Sequence, residues 1–405
     1  MDSYNHKYLK YKYKYHTLKK YFQNRIAGVI DIPASKVNYP INMLCMKLFD
    51  NLEGASNIIS PLAIIFILSL LQLASQDKTE SELSELLEHK FSIEELDYLY
   101  QTFNGENITM SNIFLINKRK INKINNDYFD KINSVADVIV TKLDQPKKII
   151  KKINSYIEKN TGGIINNIVS ARQINESLVM VLINSTYFNS RWLYKFNKNN
   201  TVSMPFHKTN YIEMMHQINT FNYYENEKLQ FIEMQYEQKD YVMGIIIPIF
   251  RDDNNLFQST FNVPDLNIFD INVLVNKLEP TLIDLYVPKF VHKKNIDLVP
   301  ILRKMGIKEL FNKRLANLNT IAKDLYVSQI IHATAVAVDE EGIYENEFNN
   351  LEPRGSEQLS LNKMNNQSPN KTNNTKVFKV DHAFLYYIRY TPANIIILYG
   401  DYQGN

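Results

Sequence analysis

The 405-residue chain has a single cysteine, Cys45, so no internal disulfide can staple the fold and burial has to hold it. That fits a reducing compartment. Cys45 lies in the run MLCMKLF, which has the look of the apolar face of a helix, and it reads as a small buried hydrophobe rather than a catalytic thiol. An excess of one charge is also missing. With 46 Lys and Arg against 43 Asp and Glu, the formal net charge is +3, too little to argue for nucleic acid as the main partner. No apolar run is long enough for a comfortable membrane span. The longest, residues 58–74, is interrupted by Ser60, Pro61, Ser69 and Gln72 and reads as a buried helix beginning after Ser60-Pro61. No apolar segment follows the N-terminus to serve as a secretory leader, so no signal peptide is expected.

Enzymatic motifs are absent too. The eight histidines, at 6, 16, 89, 207, 216, 292, 332 and 382, form no zinc-like cluster and no H-E-x-x-H. There is no P-loop, no dinucleotide-binding glycine pattern and no G-x-S-x-G elbow. A scattered serine–histidine–acid site is a matter of geometry, on which spacing is silent. The chain is read as a non-enzyme with no cofactor and no metal.

What is present is the composition of a globular protein, 45% hydrophobic and 22% charged. Residues 1–36 form a basic, tyrosine-rich extension: within 1–25, Lys7, Lys10, Lys12, Lys14, Lys19, Lys20 and Arg25 stand against one acid, Asp2. Such an arm can touch phosphates or an anionic surface, but a solvated tail is the better reading. From 37 to 168 the pattern is largely helical, with helices expected at 41–52, 61–74, 79–89 (Thr79 as N-cap), 125–132 and 146–159, and a strand at 107–117. Gly162-Gly163 marks a helix end.

After residue 177 strands dominate. Residues 178–188, LVMVLINSTYF, read as a strand covered on both faces. Further strands are expected at 241–249, 285–287, 330–338, 377–388 and 395–399, with a helix at 299–310. Helices first and strands later imply an α+β fold. Between two of these strands lie residues 343–376, rich in Asn, Ser, Gln, Pro and charge and without periodicity. A loop of that length inside a compact domain is functional or disordered.

Several segments, in order, resemble the serpin family. VLINSTYFNSRWLYKF at 181–196 resembles its central strand and the tryptophan region beyond, and NIISPL at 57–62 the start of its second helix. MSNIF at 110–114 looks like its early strand, Pro288 and Phe290 like its P-K-F motif, and residues 302–311 like its L-x-x-x-G-I-x-x-x-F helix. IHATAVAVDEEG at 331–342 is similar to the strand leading into the reactive loop, and residues 384–400 to the C-terminal strand pair. In the family's order, the resemblance extends over nearly everything from about residue 37 to 402, and implies one serpin domain, 37–405, with three β-sheets, a helical N-terminal half and an exposed reactive-centre loop at about 343–376.

The resemblance assigns Ser60, Asn184 and His332 to a latch under the main sheet, although the family commonly has another serine where this chain has Ala63. Read independently, Asn184 and His332 are polar residues in apolar strands and must be hydrogen-bonded if buried. Trp192 matches the tryptophan at the sheet's upper end. Glu340, Glu341 and Gly342 match the approach to the hinge, which continues through Ile343, Tyr344 and Glu345.

Arg354–Gly355, or a bond near Ser356 and Glu357, lies at about the family's distance for cleavage. Leu351, Leu359, Leu361, Lys363 and Met364 are alternatives. The implied function is suicide inhibition of a serine or cysteine protease by loop cleavage, acyl-enzyme trapping and strand insertion. The alternative is a non-inhibitory binding or structural serpin. Period-2 alternation sets Ile343, Glu345, Glu347 and Asn349 on one face, and two carboxylates entering a sheet core disfavour insertion. The expected partner is a target protease met by a monomer. Enrichment in Asn, Ile and Lys points to an AT-rich genome, viral or unicellular, and in a virus the expected target is a host enzyme. With no signal peptide or membrane span expected, a cytoplasmic or host-cell intracellular location is favoured.

Overall fold

The computed structural model describes residues 34–207, 210–249, 273–342 and 375–404. The first helices, α1 (Ala34–Phe49), α2 (Pro61–Ala74), α3 (Asp77–Leu87) and α4 (Ile93–Phe103), build the N-terminal half. α2 starts where Pro61 takes the first helical position and the Ser60 hydroxyl accepts from the Ala63 N–H, filling one of the orphan donors of the first turn. All its residues but Leu73 are buried, which explains an apolar run with no polar face. α4 was not anticipated, although Ser92 and Glu95 form a full capping box at its start. Thr79 is not an N-cap: α3 begins at Asp77, and the buried Thr79 hydroxyl instead accepts from the Asn317 N–H at 3.0 Å.

Two further helices complete the layers near the site. α5 (Asn126–Ile132) is capped by the Asn125 side chain, and α6 (Pro146–Asn160) turns Ile153 and Ile157 inward. The helix expected at 299–310 is α7 (Leu298–Lys304) followed by a 3-10 turn at Glu309–Phe311. Gly306, at φ 101°, breaks it.

The strands in chain order are β1 (Ile58–Ile59), β2 (Ile108–Asn117), β3 (Asp137–Thr141), β4 (Met180–Phe188), β5 (Val202–Phe206), β6 (Asn210–Glu225) and β7 (Leu229–Gln235). There follow β8 (Tyr241–Pro248), β9 (Glu279–Pro288), β10 (Phe290–Asp297), β11 (Val327–Val338), β12 (Lys376–Lys379), β13 (Phe384–Tyr390) and β14 (Ile395–Tyr402). The expected strand 377–388 is thus two strands, β12 and β13. Among the described residues they form a five-stranded sheet, β10-β11-β4-β2-β3, and a nine-stranded one, β1-β14-β13-β8-β7-β6-β9-β12 with β5 on β6. The two smaller sheets of the family's expected three are hydrogen-bonded here as one path. The 16-residue β6 pairs with β9 along Met214 to Tyr223 and with β7 through its last four residues, so it belongs to both.

Alternation in β4 and β11 divides the core. Leu182, Phe188, Ile330 and Val336 face the main core with α2, whereas Val181, Ile183, Ile331, Ala333 and Ala335 pack with Ile153 and Ile157 of α6. Every residue of β4 is buried, as its continuous apolar run required. Cys45 is buried on α1.

Candidate functional site

The five-stranded sheet contains an unusual seam. β11 and β4 are adjacent and parallel, with Ile331 opposite Ile183, His332 opposite Asn184 and Val336 opposite Phe188. β10 on one side and β2 on the other are antiparallel to them. Parallel neighbours cannot be joined by a tight turn, and the chain leaving β11 at Val338 runs directly into the 343–374 segment. A strand folding back from that end into the seam would be antiparallel to both neighbours, replacing one parallel ladder by two antiparallel ones.

The seam is fastened at its middle by buried polar groups. The Asn184 amide donates to the Asn112 side-chain oxygen at 2.6 Å and to the Ala63 carbonyl at 3.1 Å, and Asn112 donates onward to the Val135 carbonyl at 3.0 Å. His332 Nδ1 stands 2.6 Å from Asn184 Oδ1. Its Nε2 accepts from the Ser60 backbone N–H at 3.1 Å and lies 2.6 Å from the Thr334 hydroxyl. Two donors on Nε2 place the ring proton on Nδ1, where it is donated to Asn184. Burial pushes the His332 pKa down to about 3, so the ring is neutral.

The structure therefore brings Ser60, Asn184 and His332 together, but Ser60 contributes its main-chain N–H, while its hydroxyl caps α2. Asn112 and Thr334 complete a line across β2, β4 and β11. Both are polar residues within apolar strands, which is the signal that could have found them. Beside this line, among the described residues, the buried hydroxyls of Ser111 on β2 and of Ser185 and Thr186 on β4 meet no hydrogen-bond partner, an uncommon concentration for neighbouring strands.

The second part of the site is the root of the loop. Trp192 is buried, stacks on Tyr236 with ring centroids 4.4 Å apart, and donates its indole N–H to the Asp339 carbonyl at 2.8 Å. The Trp192 and Phe196 main-chain N–H groups donate to the Glu341 and Glu340 carbonyls at 2.9 and 3.0 Å. Gly342 has φ +93°, and a Cβ there would meet the Ser190 carbonyl oxygen and the Trp192 nitrogen at 2.7 Å. Glycine is required at this position both for its backbone angle and for the close approach.

Charge adds to the clamp. Glu341 pairs with Lys195 at 2.7 Å, which holds its carboxyl below the ordinary range. Burial works to raise the Glu340 carboxyl, but the Thr201 hydroxyl at 2.7 Å and Lys289 at 3.3 Å outweigh it and hold it low. Burial raises Asp339. Lys195, Thr201 and Lys289 were not picked from the sequence, since their meaning depends on which strand end they meet. Ile343, Tyr344 and Glu345, and the cleavage candidates Leu351, Arg354, Gly355, Ser356, Glu357, Leu359 and Leu361, lie outside the described residues, as do residues 1–33.

A parallel seam crossed by buried side-chain hydrogen bonds, leading at one end into a hydrogen-bonded loop root, is what the fold brings together here. The chain belongs to the serpin (serine protease inhibitor) family, whose model matches residues 40–403. It is 36% identical over 412 residues to a serpin-like protein of Acanthamoeba polyphaga mimivirus, covering 99% of this chain and 100% of the other. It is 25% identical to the leukocyte elastase inhibitor of Xenopus tropicalis over 89% of this chain and 96% of that one. Among solved structures, the thermophilic serpin tengpin in its native state superposes with a TM-score of 0.76 at 21% identity, covering 91% and 94% of the two chains. Among the described residues no helix is long and apolar enough to cross a membrane.

Proposed function

We propose that this chain is a suicide inhibitor of a serine or cysteine protease, acting as a monomer. The observation that carries the reading is the parallel β4–β11 pair, continuous through β11 with the loop and closed by buried side chains rather than by an intervening strand. In this reading the protease cuts within 351–364 and is held as an acyl-enzyme. The freed N-terminal part of the loop then turns at Gly342 and enters the seam. Trapping is a race between insertion and deacylation, so the closed sheet is protected kinetically. Ser60, Asn184 and His332, with Asn112 and Thr334, act as the latch that insertion must break.

A second reading, a serpin that binds or supports without inserting, is favoured by Glu345 and Glu347, whose burial would cost several kcal/mol each unless paired. A stoichiometry assay against trypsin-like, chymotrypsin-like and cysteine proteases separates the two. A covalent adduct stable to denaturant, with its cut site mapped by mass spectrometry, supports inhibition. Clean cleavage with turnover and no gain in thermal stability refutes it for the enzymes tested.

A further inference from the structure

The near-zero total charge conceals a strong asymmetry. Residues 118–159 hold eleven Lys and Arg against five Asp and Glu, whereas residues 77–106 hold nine acids against two lysines. Four of these lysines share one face of a helix. Lys147, Lys148, Lys151 and Lys152 are all exposed on α6, on the side opposite Ile153 and Ile157, which face the sheet. Lys142, on the turn into that helix, and Lys120, just beyond β2, stand beside its start, where Arg119 is paired with Asp144 at 2.8 Å and Glu176 is also near, so the helix lysines are the acid-free part of the patch. The Lys118 N–H donates to the Thr141 carbonyl at 2.9 Å, which sets these two turns side by side.

The first turn of α6 contains lysines and no acid, the reverse of what the helix dipole favours. A bound anion would relieve that arrangement. α4, by contrast, carries Glu94, Glu95 and Asp97.

We propose that this outer face of α6 binds the phosphate backbone of double-stranded nucleic acid. Lysines act as point charges on phosphates and read no base sequence. A single-stranded partner would call for free aromatic rings to stack its bases, whereas the aromatic residue of this helix, Tyr156, is held by its hydroxyl to Asp137 at 2.8 Å. Lysine pairs one turn apart follow a straight path on a convex helix. That suits a stiff rod of dense charge better than a flexible polymer that needs a groove to wrap it. The proposal does not rest on protease inhibition, although α6 packs on the seam strands β4 and β11.

The test is fluorescence anisotropy of a labelled duplex of about 20 bp with the full chain, titrated from about 50 to 200 mM salt. The K147Q/K148Q/K151Q/K152Q variant should bind at least about tenfold more weakly at the low end. Its slope of log K against log salt should be shallower by about three to four. The K151Q/K152Q variant, a milder change that also guards against misfolding, should lose about half of that slope. An unchanged slope would overturn the proposal. So would a loss seen instead on replacing Lys7, Lys10, Lys12 and Lys14 by Gln, or binding to heparin or to single strands with none to the duplex.

Discussion

Acid should loosen the closed sheet through His332, and a His332→Gln variant should lose that part of the response. An unfolded histidine titrates near 6.5, whereas burial holds the native His332 at about 3. Between these values the unfolded chain carries a proton that the native one excludes. The stabilising contribution is therefore complete above about pH 6.5 and declines as pH falls toward about 3. The limiting slope for one group is about 1.4 kcal/mol per pH unit, or some 2–3 kcal/mol between about pH 6.5 and 4.5.

The geometry explains why the native ring resists the proton. Nε2 already accepts from the Ser60 N–H and faces the Thr334 hydroxyl, and protonation would set donor against donor in a dry seam. Glu340 and Glu341 have native values below the ordinary 4.5, so their stabilisation is present above about pH 4.5 and is lost beneath it. His207 and His292 are also lowered, by burial first, but are common to both proteins and cancel in the difference.

The assay is urea unfolding at half-unit pH steps, followed by the fluorescence of Trp192, the only tryptophan in the chain. It is paired with hydrogen exchange of the β4 and β11 amides. Wild type should lose about 2 kcal/mol more than the variant over the upper window. Equal slopes for the two proteins would refute the reasoning.

Asn184→Ala should destabilise by about 3–5 kcal/mol, because it strands the buried partners of at least three hydrogen bonds; a urea midpoint close to wild type would count against the latch. Gly342→Ala should lower the thermal midpoint by several degrees and redden Trp192 emission, since its Cβ has 2.7 Å to the Ser190 oxygen and φ is positive. Cys45 is wholly buried and its thiol pKa is pushed up by burial first and Asp50 second, so thiol reagents should modify it only in denaturant; rapid native labelling would show that α1 opens. A Glu345→Ala/Glu347→Ala variant should form more covalent adduct per cleavage than wild type, and an unchanged ratio would remove the carboxylates as the obstacle to insertion.

The parts of the fold legible in the sequence are those with one dominant signal. The buried strand at 180–188 and the helix after Ser60-Pro61 follow from unbroken apolar runs and a proline at the first turn. β6 was missed because its residues, NYIEMMHQINTFNYYE, are mixed in polarity and its faces change between buried and exposed along its length. A strand shared by two sheets keeps no single alternation. In the site, Asn184 and His332 stood out as polar residues in apolar strands, but nothing local told that Ser60 acts through its main chain or that Thr334 shares His332. Lys195 and Lys289 are ordinary lysines until the fold brings them to Glu341 and Glu340. The charge asymmetry was likewise present in the sequence and hidden by a total of +3.

Insertion and its failure can be weighed from the same seam. Entry of a strand breaks the β4–β11 ladder and makes two, a net gain of roughly one ladder. Over the nine residues of β4, at about 1 kcal/mol net per bond, the gain is on the order of 5–10 kcal/mol. Partners supplied to Ser185 and Thr186, which are buried and meet none among the described residues, would add to it. Against it stand the Asn184–His332 hydrogen bonds, which are lost once, and the burial of Glu345 and Glu347. Two unpaired carboxylates at several kcal/mol each cancel the ladder gain, whereas the same residues protonated, paired or kept at the solvent-facing end do not. On the proposed mechanism, inhibitor and substrate would differ by the placement of two side chains on one strand rather than by the scaffold. The adduct yield of the double-alanine variant reads that difference directly, because it changes the insertion term and leaves the latch untouched.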